Sequence, residues 1–125
     1  MDLNMKVLVV DDFATMRRII KNALKQIGFV HILEAEDGVT ALAVLKDNTV
    51  DLIISDWNMP NMNGLDLLKK VRGDKDTKGI PFVMVTAEAQ KENVLQAVQA
   101  GVSNYLVKPF TAEAMKAKLT QTLRK

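Results

Sequence analysis

Three aspartates, a threonine and a lysine stand at the ends of separate apolar runs. Asp11 and Asp12 follow Lys6 to Val10, Asp56 follows Asp51 to Ser55, Thr86 closes Pro81 to Thr86, and Lys108 follows Ser103 to Val107. If these ends converge, the carboxylates repel one another: two unit charges about 4 Å apart cost on the order of 4 kcal/mol at an effective dielectric of about 20. Such a cluster needs a cation. Aspartates without histidine or cysteine favour a hard, oxygen-liking metal, and a small open group that leaves room for water and phosphate suits Mg2+ better than Ca2+. Lys108 adds a fixed positive charge. A divalent ion, a lysine and a hydroxyl around one carboxylate are complementary to the equatorial oxygens of a phosphoryl group. Asp56 is therefore a candidate nucleophile toward phosphorus, with an acyl phosphate as product.

Each residue also has an ordinary structural explanation. Asp11 and Asp12 can be a helix N-cap and its neighbour, and Asp56 can cap the turn Asp56-Trp57-Asn58-Met59-Pro60. Thr86 can be a half-buried strand residue and Lys108 a solvated one. The chemical reading rests on all five occurring together at the ends of alternating elements.

Those elements are legible as periodicity. The five runs rich in Val, Ile, Leu and Phe, including His31 to Ala35, read as strands. Between them lie stretches with one apolar face at helical spacing: Met16, Ile19, Ile20, Ala23, Leu24 and Ile27; Leu42 and Leu45; Leu65 and Leu68; Val94 and Val98; Met115, Leu119 and Leu123. Gly28 and Gly101 mark helix C-terminal ends, Asn63 stands three residues before Asp66 as a start signal, and Thr111 opens the last helix. Strands that are nearly all apolar require cover on both faces, so the alternation predicts an α/β fold with a parallel, doubly wound sheet of five strands and five helices. In such a sheet, ligands bind beyond the carboxyl ends of the strands, where the strand order reverses.

Bulk properties narrow the classes. With 125 residues, 48% hydrophobic and 26% charged, the chain predicts one globular domain over residues 1–125 with no separate output domain. Seventeen basic and 15 acidic residues are spread along the length, without the basic stripe that nucleic-acid binding needs. Cysteine is absent, which removes disulfides, thiolate metal sites and thiol nucleophiles. The apolar run Val7 to Val10 is cut off by Asp11 and Asp12, too short for a signal-peptide core or a membrane span, and predicts a cytoplasmic protein. The methionines read as core filler, His31 as a strand-end residue, and Arg17, Arg18, Lys21 and Lys25 as a solvated helix face.

An acidic pair after the first strand, an aspartate ending the third, Thr86-Ala87 after the fourth and Lys108-Pro109 after the fifth together resemble the receiver domains of two-component response regulators, over the whole chain. The segments Asp12 to Arg18, Ser55 to Met62, Met84 to Ala89 and Tyr105 to Phe110 resemble the chemotaxis members of that family more closely. The resemblance implies a flavodoxin-like strand order 2-1-3-4-5. It implies that Asp56 is the phospho-acceptor and that Asp12, Asp56 and the Asn58 backbone carbonyl bind Mg2+, with Asp11 acting through bound water. Lys108 would pair with the phosphoryl oxygens, and its bond to Pro109 would be cis. Thr86 and Tyr105 match the family's switch pair, which would bias a surface carrying Lys91, Tyr105 and Lys118. Asn58 and Glu88 match positions that tune the lifetime of the acyl phosphate. The family usually has Asp-Gly where this chain has Asn63-Gly64, a change that capping tolerates.

The partners so implied are the chemotaxis histidine kinase CheA, the flagellar motor switch protein FliM and, in some relatives, a dedicated phosphatase. The protein would be monomeric and would catalyse only its own phosphorylation and dephosphorylation. A phosphate sink, or a phosphorelay receiver with a non-motor partner, is the alternative within the family. A phosphohydrolase of the aspartyl-phosphate class needs a second acid two residues after its nucleophile, where this chain has Asn58. A flavin-binding module needs a Ser/Thr/Gly-rich loop after the first strand, where this chain has Asp11-Asp12-Phe13. A receiver-like domain that works without phosphorylation fits poorly with the intact acidic pair, Asp56, Thr86 and Lys108.

Overall fold

The computed structural model of the chain describes residues 1–87 and 90–124. Strands β1 (Lys6–Val10), β2 (His31–Ala35), β3 (Leu52–Ser55), β4 (Phe82–Thr86) and β5 (Asn104–Val107) alternate with helices α1 (Ala14–Ile27), α2 (Gly38–Asp47), α3 (Gly64–Gly73), α4 (Lys91–Gln99) and α5 (Ala112–Leu123). All neighbouring strands are parallel, in the order β2-β1-β3-β4-β5. The expected doubly wound α/β sheet and its strand order are both present.

Strand alternation sorts the core into two layers. Val7 and Val9, Leu52 and Ile54, and Val83 and Val85 pack on one face with Ile20 and Leu24 of α1 and Met115 and Leu119 of α5. Leu8 and Val10, Ile53, and Phe82 and Met84 pack on the other with Ala41 of α2, Leu67, Leu68 and Val71 of α3, and Ala97 of α4. Successive strand residues point to opposite faces, so a run that is apolar at every position is stable only between two helix layers. No described helix is long and apolar enough to cross a membrane.

Three strands begin one residue later than their apolar runs suggest. Asp51 precedes β3 because its carboxylate accepts the Lys6 N–H at 2.9 Å, while its own N–H donates to the Lys6 carbonyl. Pro81 has no N–H to give to the ladder before β4. Ser103, before β5, uses its hydroxyl to accept the Phe82 N–H at 3.0 Å.

The local end signals are realised. Gly28 and Gly101 adopt positive φ, 124° and 94°, after α1 and α4. Asn63 accepts the Asp66 N–H at 2.8 Å and Thr111 accepts the Ala114 N–H at 3.0 Å. Helix α2 has a capping box that the sequence reading did not identify: Asp37 accepts the Thr40 N–H, and the Thr40 hydroxyl accepts the Asp37 N–H.

Gly64, the first residue of α3, packs so closely that a Cβ there would collide with the Asp56 carbonyl oxygen. Asn63→Ala should lower the unfolding free energy in urea by about 1 kcal/mol. Gly64→Ala should cost more, because the backbone that carries Asp56 has to move. A Gly64→Ala variant as stable as Asn63→Ala would show that this close approach relaxes freely.

Candidate functional site

The chain leaves β1 into α1 on one face of the sheet and leaves β3 into α3 on the other, so the two loops diverge and open a crevice between adjacent strand ends. Asp11 and Asp12 enter it from β1 and Asp56 from β3. Ladder continuation fixes their backbones: Asp11 N–H donates to the Ala35 carbonyl at 3.1 Å and Asp56 N–H to the Val10 carbonyl at 2.9 Å.

One carboxylate oxygen from each of Asp11, Asp12 and Asp56 lies within 4.8 Å of the others. Asp11 is 1% and Asp56 8% exposed, whereas Asp12 opens to solvent. Lys108 comes from the far edge of the sheet, its N–H bonded to the Thr86 carbonyl at 2.9 Å. Its ammonium stands 3.0 Å from Asp11 Oδ2 and 3.5 Å from Asp56 Oδ2. The Lys108-Pro109 bond is cis. Asp56 Oδ1 accepts the Trp57 N–H at 2.7 Å, and the Thr86 side chain is also hydrogen-bonded to the Asp56 carboxylate.

These contacts modify the capping explanation. Asp11 Oδ1 accepts the Phe13 N–H at 2.9 Å, so Asp11 does tie down the start of the turn, but α1 itself begins behind Phe13 without a side-chain cap. Asp56 binds the next residue's N–H with one oxygen and turns the other toward Lys108.

Charge in the crevice is unbalanced among the described residues: three carboxylates face one ammonium. Burial pushes Asp56 above the ordinary carboxylate value of 3.8; Lys108 pulls it back, Asp11 raises it again, and the hydrogen bonds from Trp57 and Thr86 lower it. The donor set fits Mg2+. It is oxygen throughout, the three carboxylate oxygens lie within 4.8 Å of one another, and exposure at Asp12 leaves room for the waters that this ion retains.

The loop after β3 is pinned at its far end. Asn61 adopts φ 67°, and its amide donates to the buried Asp37 carboxylate at 2.7 Å. Gly38 N–H donates to the Met62 carbonyl at 3.1 Å, and Gly64 N–H returns to the Trp57 carbonyl at 2.8 Å. Asn58 lies on this held loop with its side chain exposed.

Thr86 links the crevice to the remaining predicted residues, which lie away from it. Thr86 is fully buried at the end of β4, Tyr105 is half-buried on β5 against the α3 and α4 layer, Lys91 is exposed at the start of α4 and Lys118 is half-buried on α5. Asn104 ties β5 to α5, its amide donating to the Lys118 carbonyl at 3.2 Å and its oxygen accepting the Tyr105 N–H at 2.9 Å. Glu88 lies outside the described residues.

Sequence reasoning missed three contributors. Gly64 and the Asp37–Asn61 pair hold the loop, and the Asn-Gly and Asp-Gly dipeptides were the available signals. Arg17 and Lys21 do not belong to a merely solvated face: both are half-buried and paired with Glu34.

Residues 7–120 match the response regulator receiver domain family, and the chain belongs to that family. Within it the chain is CheY-like. It is 55% identical over 116 residues to chemotaxis protein CheY-3 of Vibrio cholerae, covering 93% of this chain and 89% of that one. It is 54% identical over 115 residues to chemotaxis protein CheY of Pseudomonas aeruginosa, covering 92% and 93%. Its structure resembles chemotaxis response regulator CheY4 of Vibrio cholerae at TM-score 0.88 and 36% identity, covering 96% of this chain and 99% of that one.

The raised Asp56 sets a pH dependence. Below about pH 3.9 the carboxyl is protonated in both folded and unfolded chains and costs nothing; as pH rises through the higher folded value, the folded state alone carries the penalty of ionising it. Without Mg2+, Asp56→Asn should therefore be more stable than the parent at pH 7, with the gain fading as pH falls below about 4. Urea unfolding across pH checks this, and an Asp56→Asn variant less stable than the parent at pH 7 would count against it. Added Mg2+ should stabilise the parent more than the variant, since a ligand stabilises the fold that binds it.

Proposed function

We propose that this chain is a chemotaxis response regulator that works by phosphoryl transfer to Asp56. The observation that carries this reading is the bridge made by Lys108, whose ammonium faces both Asp11 and Asp56 in the crevice shared with Asp12. Asp12, Asp56 and the Asn58 backbone carbonyl would hold Mg2+, with Asp11 acting through water, and the bound ion would supply charge neutralisation for the phosphoryl oxygens.

The donor is a phosphohistidine of a chemotaxis kinase of the CheA type. An Asp56 carboxylate oxygen forms the new O–P bond as the P–N bond breaks, and the departing imidazole keeps the electron pair. Lys108 stabilises negative charge on the equatorial oxygens, and the Trp57 N–H steadies the attacking carboxylate. Release of the Lys108 ammonium from Asp56 toward the incoming group is supported by its longer contact there, 3.5 Å against 3.0 Å to Asp11.

The output begins at Thr86, which touches Asp56 through its side chain and Lys108 through its carbonyl. Re-aiming the Thr86 hydroxyl to the phosphoryl group frees space along β4 toward Tyr105, and the face carrying Lys91, Tyr105 and Lys118 then binds the flagellar motor switch protein FliM. Asn58 and Glu88 tune how long the acyl phosphate lasts. In this role the protein acts in the cytoplasm.

Intact mass spectrometry after treatment with acetyl phosphate and Mg2+ should show one added phosphoryl group on the parent and none on Asp56→Asn. Equal labelling of the two would sink the assignment of Asp56. A second measurement tests the metal: Trp57, buried beside Asp56, should change its fluorescence on Mg2+ addition, and Asp12→Ala should give a flat titration.

A further inference from the structure

Arg17 reaches the candidate cation site from behind. Its Nη1 donates to the Asp11 backbone carbonyl at 2.6 Å, and its Nε donates to Glu34 Oε1 at 3.2 Å. The other oxygen of Glu34 accepts from Lys21 Nζ at 2.9 Å. The Arg17 side chain is only 19% exposed, so the fork is held between α1, the end of β1 and the edge strand β2.

Asp11 is constrained at every polar atom. Its N–H continues the ladder to Ala35, its Oδ1 accepts from Phe13, its Oδ2 from Lys108 and its carbonyl from Arg17. The Arg17 bond acts on the peptide that joins Asp11 to Asp12, and its direction sets the plane from which Asp12 departs. The Phe13 N–H bond to Asp11 Oδ1 also restrains this turn, but it holds the side chain, whereas Arg17 holds the carbonyl itself.

We propose that Arg17 is a positioning residue for the cation site: by clamping the Asp11 carbonyl against Glu34, it orients Asp11 and Asp12 for Mg2+. The inference rests on the reading that Asp12 and Asp56 hold that ion, with Asp11 acting through water. Two effects of opposite sign act at Arg17. Its charge repels a divalent cation, so simple electrostatics predicts tighter binding when it is removed; loss of orientation predicts weaker binding. Glu34, shared between Arg17 and Lys21, offsets part of that charge, and a lysine at position 17, which keeps the charge and loses the fork, separates the two effects. Loss of a hydrogen-bond partner behind a metal ligand commonly weakens metal binding by about 10- to 100-fold.

The test is Mg2+ titration of the 125-residue chain at constant ionic strength, read by Trp57 fluorescence and by calorimetry. Arg17→Gln should raise the half-saturating Mg2+ concentration about tenfold. Arg17→Lys keeps the charge but cannot reach Asp11 and Glu34 as a fork, so it should stay close to Arg17→Gln. Glu34→Gln, which leaves Arg17 in place without its anchor, should weaken binding in the same direction by less, and covers the case in which Arg17→Gln does not fold. Unchanged or tighter binding in Arg17→Gln, or full recovery in Arg17→Lys, would overturn the positioning role. A parent protein that does not respond to Mg2+, or an Asp12→Ala variant that responds like the parent, would instead overturn the cation site on which it rests.

Discussion

Everything in this protein turns on the cost of holding three carboxylates in one crevice. Two of them, Asp11 and Asp56, are buried, and among the described residues a single ammonium stands between them. Repulsion at these separations is of the same order as a substantial part of a small domain's net stability. A site of this kind is stable enough to exist only because the sheet fixes its backbone on both sides. It remains poised for added positive charge because one lysine does not neutralise it.

That constraint explains why the site recruits nearly every strand. Lys108 has to arrive from β5, at the opposite edge, and its backbone is registered on Thr86 at the end of β4. Thr86 thereby touches both the acidic centre and the strand pair that carries Tyr105. Charge at Asp56 and packing at β5 are linked by direct bonds rather than by distance, which is the physical basis for a response-regulator reading of the fold.

A second tier of contacts keeps the carboxylates aimed. Gly64 lets α3 start against the Asp56 carbonyl, Asn61 closes the following loop onto Asp37, and Arg17 braces Asp11 against Glu34. None of these groups belongs to the acidic set. Gly64 works by the side chain it lacks, whereas Asn61 and Arg17 each satisfy a carboxylate or backbone oxygen.

The amino-acid sequence by itself determined the alternation of strands and helices, the caps at Asn63 and Thr111, the turns at Gly28 and Gly101, and the two-sided burial of the sheet. These follow from side-chain period and backbone preference, which act over a few residues. It also marked Asp11, Asp12, Asp56, Thr86 and Lys108 as strand-end residues. Convergence of those ends was a matter of topology, because Lys108 and Asp11 are 97 positions apart and meet only when β5, β4, β3 and β1 lie in that order. The tertiary structure alone decided that Arg17 is a brace rather than a solvated cation, that Gly64 is there for contact as well as for helix geometry, and that Asn61 must bend into left-handed φ to reach Asp37. The partners of these residues lie on other elements, and no local pattern of charge or hydrophobicity specifies which surface a side chain will face after the helices dock on the sheet.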